Sequence, residues 1–108
     1  MSKFSREKGK RGERELARLF QACGIEAKRG VQYQGGTDSP DVQTSVDWLH
    51  VECKRSESLN IYAALEQAAA DAGIKLPVVF HKRNGKPWVA VLRAEELLAL
   101  ILEKVKTV

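Results

Sequence analysis

The stretch that decides the fold lies at residues 48–54 and reads Trp48-Leu49-His50-Val51-Glu52-Cys53-Lys54. Apolar and polar side chains alternate through most of it, which is typical of a β-strand with one buried face. We expect Leu49, Val51 and Cys53 to pack into a core while the remaining side chains face the other way. Glu52 and Lys54 are then neighbours on that second face, with about 7 Å between their backbone positions at the usual rise of a strand.

A second carboxylate precedes this strand. Pro40-Asp41 begins another predicted strand, which runs to Thr44, and the polar residues after it have the length of an antiparallel turn. This hairpin would bring Asp41 beside Glu52. Carboxylate oxygens are ligands that Mg²⁺ prefers, and the ion usually keeps several waters and binds substrate phosphates as well. The pattern therefore predicts a magnesium site, at which we expect Mn²⁺ to substitute.

The residues of this site suit phosphodiester hydrolysis. A magnesium ion held by Asp41 and Glu52 would polarise the phosphodiester and activate a water molecule. The Lys54 ammonium would orient that water, help to deprotonate it, or hold the phosphate. Two carboxylates this close repel each other unless a cation or Lys54 lies between them, which favours a site. The alternative is a surface strand with an ordinary Glu–Lys pair and an unrelated aspartate in a turn.

Residues 5–23 have helical spacing, and one acid lies on the apolar side of this helix. Three apolar residues share the face of Glu13, namely Leu16, Ala17 and Phe20. An acid on a buried face needs a partner, and a metal site would supply one. The alternative is a partly buried salt bridge from Glu13 to Arg29.

Glycine, proline and turn residues divide the rest of the chain into short elements. After the first helix we expect a strand over 25–33, two strands over 41–44 and 48–54, a helix over 59–72, a strand from Pro77, a turn at Asn84-Gly85, a returning strand over 87–92 and a helix from near Ala94. The order αβββαββα predicts an α/β fold in which helices flank a mixed central sheet. A chain of 108 residues has the size of a single domain, residues 1–108.

The net charge of +4 says little by itself, but the basic residues are clustered. Lys and Arg are frequent in residues 1–18, and three basic pairs follow at predicted turns or strand ends: Lys28-Arg29, Lys54-Arg55 and Lys82-Arg83. We expect a surface that contacts DNA phosphates and includes Lys10, Arg11, Arg55, Lys82 and Arg83. A set of solvated charges is the alternative.

No apolar run approaches the roughly 20 residues that span a bilayer, and the charged N-terminus lacks an apolar signal region. We therefore expect a cytoplasmic protein with no membrane partner. The last helix is apolar over roughly half of its circumference or more, which is wider than one core stripe needs. In so small a domain this pattern predicts a homodimer, with deep burial inside the monomer as the alternative.

Two groups of motifs resemble known nucleases. Pro40-Asp41 followed by Glu52-Cys53-Lys54 resembles the signature of the PD-(D/E)xK nuclease superfamily. Lys8-Gly9-Lys10-Arg11-Gly12-Glu13-Arg14-Glu15-Leu16 resembles the opening helix of archaeal-type Holliday junction resolvases, and residues 79–88 are similar to a stretch of phage-encoded relatives. The resemblance implies a restriction-endonuclease-like core and a dimeric, metal-dependent endonuclease that cuts branched DNA in a bacterial or phage-infected cell or at the nucleoid.

The same resemblance implies roles for further residues. Glu13 matches a glutamate that contributes to the family's metal site, and Arg14 and Arg29 match basic positions around the substrate. Gln67 is similar to a glutamine that related nuclease groups place near the metal, and its small neighbours would let it approach the sheet. One departure is that the serine which the family often has before the aspartate has no assignable counterpart within residues 30–36.

Two other functions stay open. A nuclease with the same core could cut flaps, nicks or plain duplexes. A module that has lost catalysis could bind DNA structures without cutting them. His50 shares the face of Glu52 but lies further from the strand end, so we interpret it as a structural or solvent-facing histidine in preference to a base.

Overall fold

The structure is a computed structural model that describes residues 3–30 and 40–106, with the side chains of the first helix described from Glu7 onward. Its elements are helix α1 (Lys3–Ala22), strands β1 (Ala27–Arg29), β2 (Val42–Thr44) and β3 (Leu49–Arg55), helix α2 (Ile61–Ala72), strands β4 (Leu76–Lys82) and β5 (Val89–Val91), and helix α3 (Ala94–Lys106). The predicted order αβββαββα and the α/β class are confirmed, and the arrangement is consistent with a restriction-endonuclease-like fold.

The five strands form one mixed sheet in the order β1-β2-β3-β4-β5. β1 and β2, β2 and β3, and β4 and β5 pair antiparallel, and the last two of these hairpins were predicted from their turn residues. The central pair, β3 and β4, is parallel, and α2 connects the two strands. β3 therefore has a hydrogen-bonded neighbour on each side, which gives the strand of Glu52 and Lys54 a rigid position in the middle of the sheet.

Helices α1 and α2 pack on opposite faces of this sheet. One cluster joins α1 to the sheet through Leu16, Ala17, Phe20, Val42 and Val51. The other joins α2 to the sheet through Ala64, Ala68 and Val79. Phe80 packs edge-on against Phe20, with ring centroids 5.2 Å apart. Because Val79 and Phe80 are consecutive on β4, their side chains point to opposite faces, which separates the two clusters.

Several element ends differ from the predictions by a few residues. β1 stops at Arg29, earlier than predicted, and residues 31–39 lie outside the described part of the chain. α2 begins at Ile61, slightly later than predicted. The reason is local, because the Asn60 side chain accepts a hydrogen bond from the Ala63 N–H at 3.1 Å and so caps the helix.

Helix α3 lies outside the buried core. None of its described residues is buried, although one side borders a groove that is also lined by Trp48 and Leu76. Deep burial of this helix in the monomer, the alternative to a dimer interface, is therefore not what the structure shows. No helix within the described residues combines the length and the apolar composition that a membrane span requires.

Candidate active site

Asp41 lies beside the part of β3 that carries Glu52. In the antiparallel β2–β3 pair, Val42 lies opposite Val51. The Asp41 N–H donates to the Val51 carbonyl at 3.0 Å, which extends the ladder to Asp41. Both acids are 8% exposed. Two carboxylates in this setting need cations or hydrogen-bond donors close by.

The Asp41 carboxylate is fixed by the neighbouring strand. Its Oδ2 accepts a hydrogen bond from the backbone N–H of Cys53 at 2.7 Å. Since Cys53 lies between Glu52 and Lys54, the aspartate is tied to the backbone of the motif that carries the other two candidates. The Pro-Asp and Glu-x-Lys motifs, which are separated along the chain, are therefore in direct contact in the fold.

Strand β1 approaches Asp41 from its other side. The Gly30 N–H donates to the Asp41 carbonyl at 2.8 Å. A Cβ placed on Gly30 would lie 2.1 Å from the Pro40 carbonyl oxygen, which no side chain can do without moving backbone. Glycine is therefore required where the chain leaves β1, because β1 packs directly against the backbone of the Pro-Asp motif.

Glu52 and Lys54 lie on the same face of β3, as the strand alternation predicted. Glu52 is hydrogen-bonded to a buried histidine, with 3.1 Å between Glu52 Oε1 and His50 Nε2. Lys54 is half-buried and lies beside His81 in the parallel β3–β4 register.

Glu13 faces the sheet from α1. Its Oε1 accepts a hydrogen bond from Arg29 Nε at 2.8 Å, the salt bridge that the sequence offered as the alternative partner. Burial raises the pKa of Glu13, and the charge of Glu52 raises it further, whereas the hydrogen bond and charge of Arg29 lower it. The influence of Glu52 indicates that the two glutamates lie near enough to repel each other.

These acids fit a magnesium ion better than a metal with an all-protein ligand set. Within residues 3–30 and 40–106 there is no group of three or more His, Cys, Asp or Glu side chains arranged to hold a metal. Mg²⁺ is commonly bound through one or two carboxylates, with waters and substrate phosphates as the other ligands. Asp41 and Glu52 are carboxylates of the kind that such a site uses, and Glu13 lies within electrostatic range of Glu52.

Comparison with protein-family models identifies the family. The model of the archaeal Holliday junction resolvase (Hjc) family matches residues 4–107, nearly the whole chain. The chain belongs to this family. Neither the curated proteins nor the solved structures gave a match. The family is one of DNA-binding resolvase nucleases, so the predicted endodeoxyribonuclease class and the resemblance of the opening helix are confirmed at that level.

In this family member, part of the predicted basic surface forms a pocket of about 330 Å³ between α1 and the β4–β5 turn. It is lined by Lys8, Arg11, Gly12, Glu15, Arg55 and Asn84. Arg55 is tied to both walls, since its Nε lies 3.4 Å from Glu15 Oε2 and its guanidinium donates to Asn84 Oδ1 at 3.0 Å. Arg11 and Arg55 therefore line the same pocket.

The other basic candidates lie outside that pocket lining. Lys10 and Arg14 are exposed on α1, and Arg83 is exposed beside the β4–β5 turn. Lys82 is half-buried, and its carbonyl accepts a hydrogen bond from Arg55 at 3.3 Å. Arg29 is partly exposed and occupied by Glu13.

Gln67 is not brought to the carboxylates. It is exposed, and its Nε2 donates to Asp71 Oδ2 at 3.1 Å on the surface of α2. The small residues that face the sheet are Ala64 and Ala68. Helix α2 therefore packs on the sheet through its alanines, whereas Gln67 is exposed.

Sequence reasoning underestimated two residues of the site. His50 shares the face of Glu52, which was the available signal, but its burial and its hydrogen bond depend on the packed sheet. Gly12 lies where a Cβ would be 2.6 Å from the Arg55 Cβ, so α1 can approach the end of β3 only without a side chain there. The Lys-Gly-Lys-Arg-Gly stretch contains that glycine, but its spacing does not reveal which strand it meets.

Proposed function

We propose that this family member is a metal-dependent endonuclease that resolves Holliday junctions, acting as a homodimer in the cytoplasm with the whole chain as one nuclease domain. Asp41 and Glu52 are the ligands of Mg²⁺, for which Mn²⁺ substitutes, and Glu13 completes the site. The observation that supports this most is that Asp41 and Glu52 are both buried acids, with the Asp41 carboxylate hydrogen-bonded to the backbone of the Glu-x-Lys motif.

The reaction is hydrolysis of a DNA phosphodiester. A water molecule forms a new bond to phosphorus, one ester P–O bond breaks, and the leaving oxygen takes a proton. Bound Mg²⁺ would supply the positive charge that offsets negative charge developing on the phosphoryl oxygens. Lys54, on the Glu52 face at the end of β3, would hold the phosphate or orient the water.

Arg29 and Glu13 gain a second role in this proposal. Arg29 holds the Glu13 side chain before DNA binds and partly offsets its charge. When a cation enters, the carboxylate gains another positive partner and Arg29, which is partly exposed, can turn to a phosphate. Arg14, exposed on the same helix, would contact the DNA backbone.

The basic pocket supplies a path for the strand that leads away from the scissile phosphate. Arg11 and Arg55 line it together with Lys8, and Arg55 follows Lys54 directly on β3. Lys10, Lys82 and Arg83 flank this path on α1 and the β4–β5 turn. Contacts of this kind position DNA without reading its sequence, which suits recognition of a branched shape.

A cleavage assay on labelled DNA tests the proposal. We expect wild-type protein with Mg²⁺ to cut a four-way junction in preference to a linear duplex, a flap or a nicked duplex of the same sequence. Asp41→Asn and Glu52→Gln should each lower the rate by about a hundredfold or more, because each removes one charged ligand. Binding of both variants to the junction in Ca²⁺ should stay within a few-fold of wild type.

A matched control is Asp47→Asn, which changes an exposed aspartate in the β2–β3 turn and should leave the rate unchanged. Equal cutting of all four DNA shapes would replace the resolvase proposal by a less selective nuclease of the same family. Tight junction binding with no Mg²⁺-dependent product in the wild-type protein would show that the chain binds DNA without catalysis.

A further inference from the structure

His50 is a polar side chain in the interior of the sheet. It is 2% exposed and belongs to the largest fully buried side chains of the described residues. It lies on β3 two residues before Glu52, so both side chains point to the same face. A buried imidazole needs a hydrogen-bond partner, and Glu52 supplies it through the 3.1 Å contact between Nε2 and Oε1.

The direction of this hydrogen bond follows from the chemistry of its two groups. A metal ligand must be a carboxylate, which only accepts hydrogen bonds, so the arrangement that suits a metal site has the proton on Nε2 and His50 as the donor. The donor holds one oxygen of Glu52 and leaves the other, Oε2, as the oxygen that a cation would bind. A long glutamate side chain is thereby restricted in rotation, and that restriction lowers the entropy lost when a cation binds.

Asp41 also accepts a hydrogen bond from β3. There the donor is the backbone N–H of Cys53, 2.7 Å from Oδ2. Each of the two carboxylates therefore has one oxygen fixed by a hydrogen-bond donor from β3. The donor to Asp41 is a backbone N–H, whereas the donor to Glu52 is a side chain that can be replaced without altering the backbone.

We propose that His50 is a positioning residue for the metal site, which holds the Glu52 carboxylate through its Nε2–H so that the free oxygen of Glu52 binds the cation. This inference rests on the proposed function, because it requires Glu52 to be a metal ligand. It assigns His50 no contact with substrate and no proton transfer.

Mn²⁺ binding to the full chain tests the inference without any need for turnover. His50→Leu fills the space with an apolar side chain but removes the donor, whereas His50→Gln keeps an N–H donor on a flexible side chain. Mn²⁺ affinity is measured from free Mn²⁺ by electron paramagnetic resonance and from the rise of Tm with Mn²⁺ concentration. We expect His50→Leu to weaken Mn²⁺ binding by about 10- to 100-fold and His50→Gln to recover most of that loss.

Cleavage provides a second readout. The Mn²⁺ concentration for half-maximal cleavage should rise in His50→Leu in parallel with the loss of affinity, and most of the rate should return at saturating Mn²⁺. Junction binding without metal should not change. Val78→Ala is the folding control, because it removes buried volume from the adjacent strand without touching the carboxylates; it should lower Tm but leave Mn²⁺ affinity unchanged.

The outcomes separate the inference from the function on which it rests. If Asp41→Asn and Glu52→Gln lose Mn²⁺ binding but His50→Leu binds Mn²⁺ as wild type does, the positioning role is overturned and the metal site stands. If Asp41→Asn and Glu52→Gln also bind Mn²⁺ normally, the metal site itself is wrong. Equal losses in His50→Leu and Val78→Ala would show a general folding effect and would also overturn the role.

Discussion

Glu13 is a residue whose ionisation opposes folding. Burial raises the pKa of its carboxyl above the ordinary value, so the folded protein binds this proton more tightly than the unfolded chain does. Protonated Glu13 therefore contributes stability that is fully present below its pKa in the unfolded chain, about 4.3. This contribution is lost as the pH rises through the higher pKa of the folded state. Because ionisation of Glu13 is unfavourable in the folded protein without metal, a bound cation would stabilise its carboxylate.

Substitution of Glu13 should therefore stabilise the protein at neutral pH. Glu13→Gln cannot ionise but can still accept the Arg29 hydrogen bond, so its free energy of unfolding relative to wild type should increase between pH 4 and pH 7. The increase is about 1.4 kcal/mol for each pH unit by which the folded pKa is raised. Urea unfolding at both pH values without divalent ions measures it, and the same variant should lose cleavage activity.

Arg29→Gln provides the complementary control. Loss of the Arg29 charge and hydrogen bond removes two influences that lower the pKa of Glu13. The decline in stability from pH 4 to pH 7 should then be steeper than in wild type. A Glu13→Gln variant whose stability relative to wild type is the same at both pH values would contradict the raised pKa of Glu13.

At the residue scale, the sequence predicted that Asp41 lies beside the Glu-x-Lys strand but not how each acid is held. Asp41 was predictable as a neighbour of β3 because the short turn between the two strands leaves few other arrangements. The partner of Glu13 was left open between a metal and Arg29, since a helical face does not fix the position of β1. The role of His50 depended on its burial, which alternation alone does not give.

At the scale of elements, the close contact between β1 and the Pro-Asp backbone should couple stability to the site. Gly30→Ala would place a Cβ 2.1 Å from the Pro40 carbonyl oxygen and 3.2 Å from the Asp41 carbonyl, all of them backbone atoms. We expect a loss of about 1–3 kcal/mol in the free energy of unfolding, measured with urea. Mn²⁺ affinity should fall as well, because the shift moves Asp41.

Gly9→Ala is the matched control within the same chain. Gly9 lies inside α1, and a Cβ there would meet nothing within 4 Å. Alanine should then raise the free energy of unfolding by about 0.5–1 kcal/mol through its higher helix propensity. Equal effects of the two substitutions would mean that the tight approach at Gly30 does not constrain the fold.

Elements were predicted well wherever a local signal marks them. The Asn84-Gly85 turn, the acids at the start of α3 and the alternation in β3 are all local, and each element appears at the expected place. The parallel pairing of β3 with β4 was not determined locally, because it depends on how α2 crosses the sheet. The burial of α3 could likewise not be predicted, because the apolar sequence pattern is the same for a helix that packs in a core and for one that packs on a partner chain.

At the scale of the whole molecule, α3 has two different sides. Glu96, Ala99, Leu100 and Glu103 border the groove beside Trp48 and Leu76. The outer side is a continuous stripe at helical spacing, formed by Leu98, Ile101, Leu102 and Val105, with exposures of 61%, 48%, 54% and 64%. An exposed apolar stripe on a small domain favours a subunit interface. A second copy is the occupant that suits the proposed reaction, because resolution of a four-way junction requires two cuts.

Charges placed in that stripe should therefore separate the subunits and uncouple the two cuts. We expect the wild-type protein to have the mass of a dimer in light scattering and the double variant Leu98→Glu/Leu102→Glu to have the mass of a monomer, since four carboxylates would otherwise be buried at the interface. On a supercoiled plasmid with a cruciform, paired cuts give linear DNA, whereas independent single cuts give nicked circles. The monomeric variant should therefore shift the product from linear to nicked.

Leu98→Met/Leu102→Met keeps the stripe apolar and should retain both the dimer mass and the linear product. A double-glutamate variant that remains dimeric would place the interface elsewhere, and a monomeric variant that still yields linear DNA would show that one chain makes both cuts.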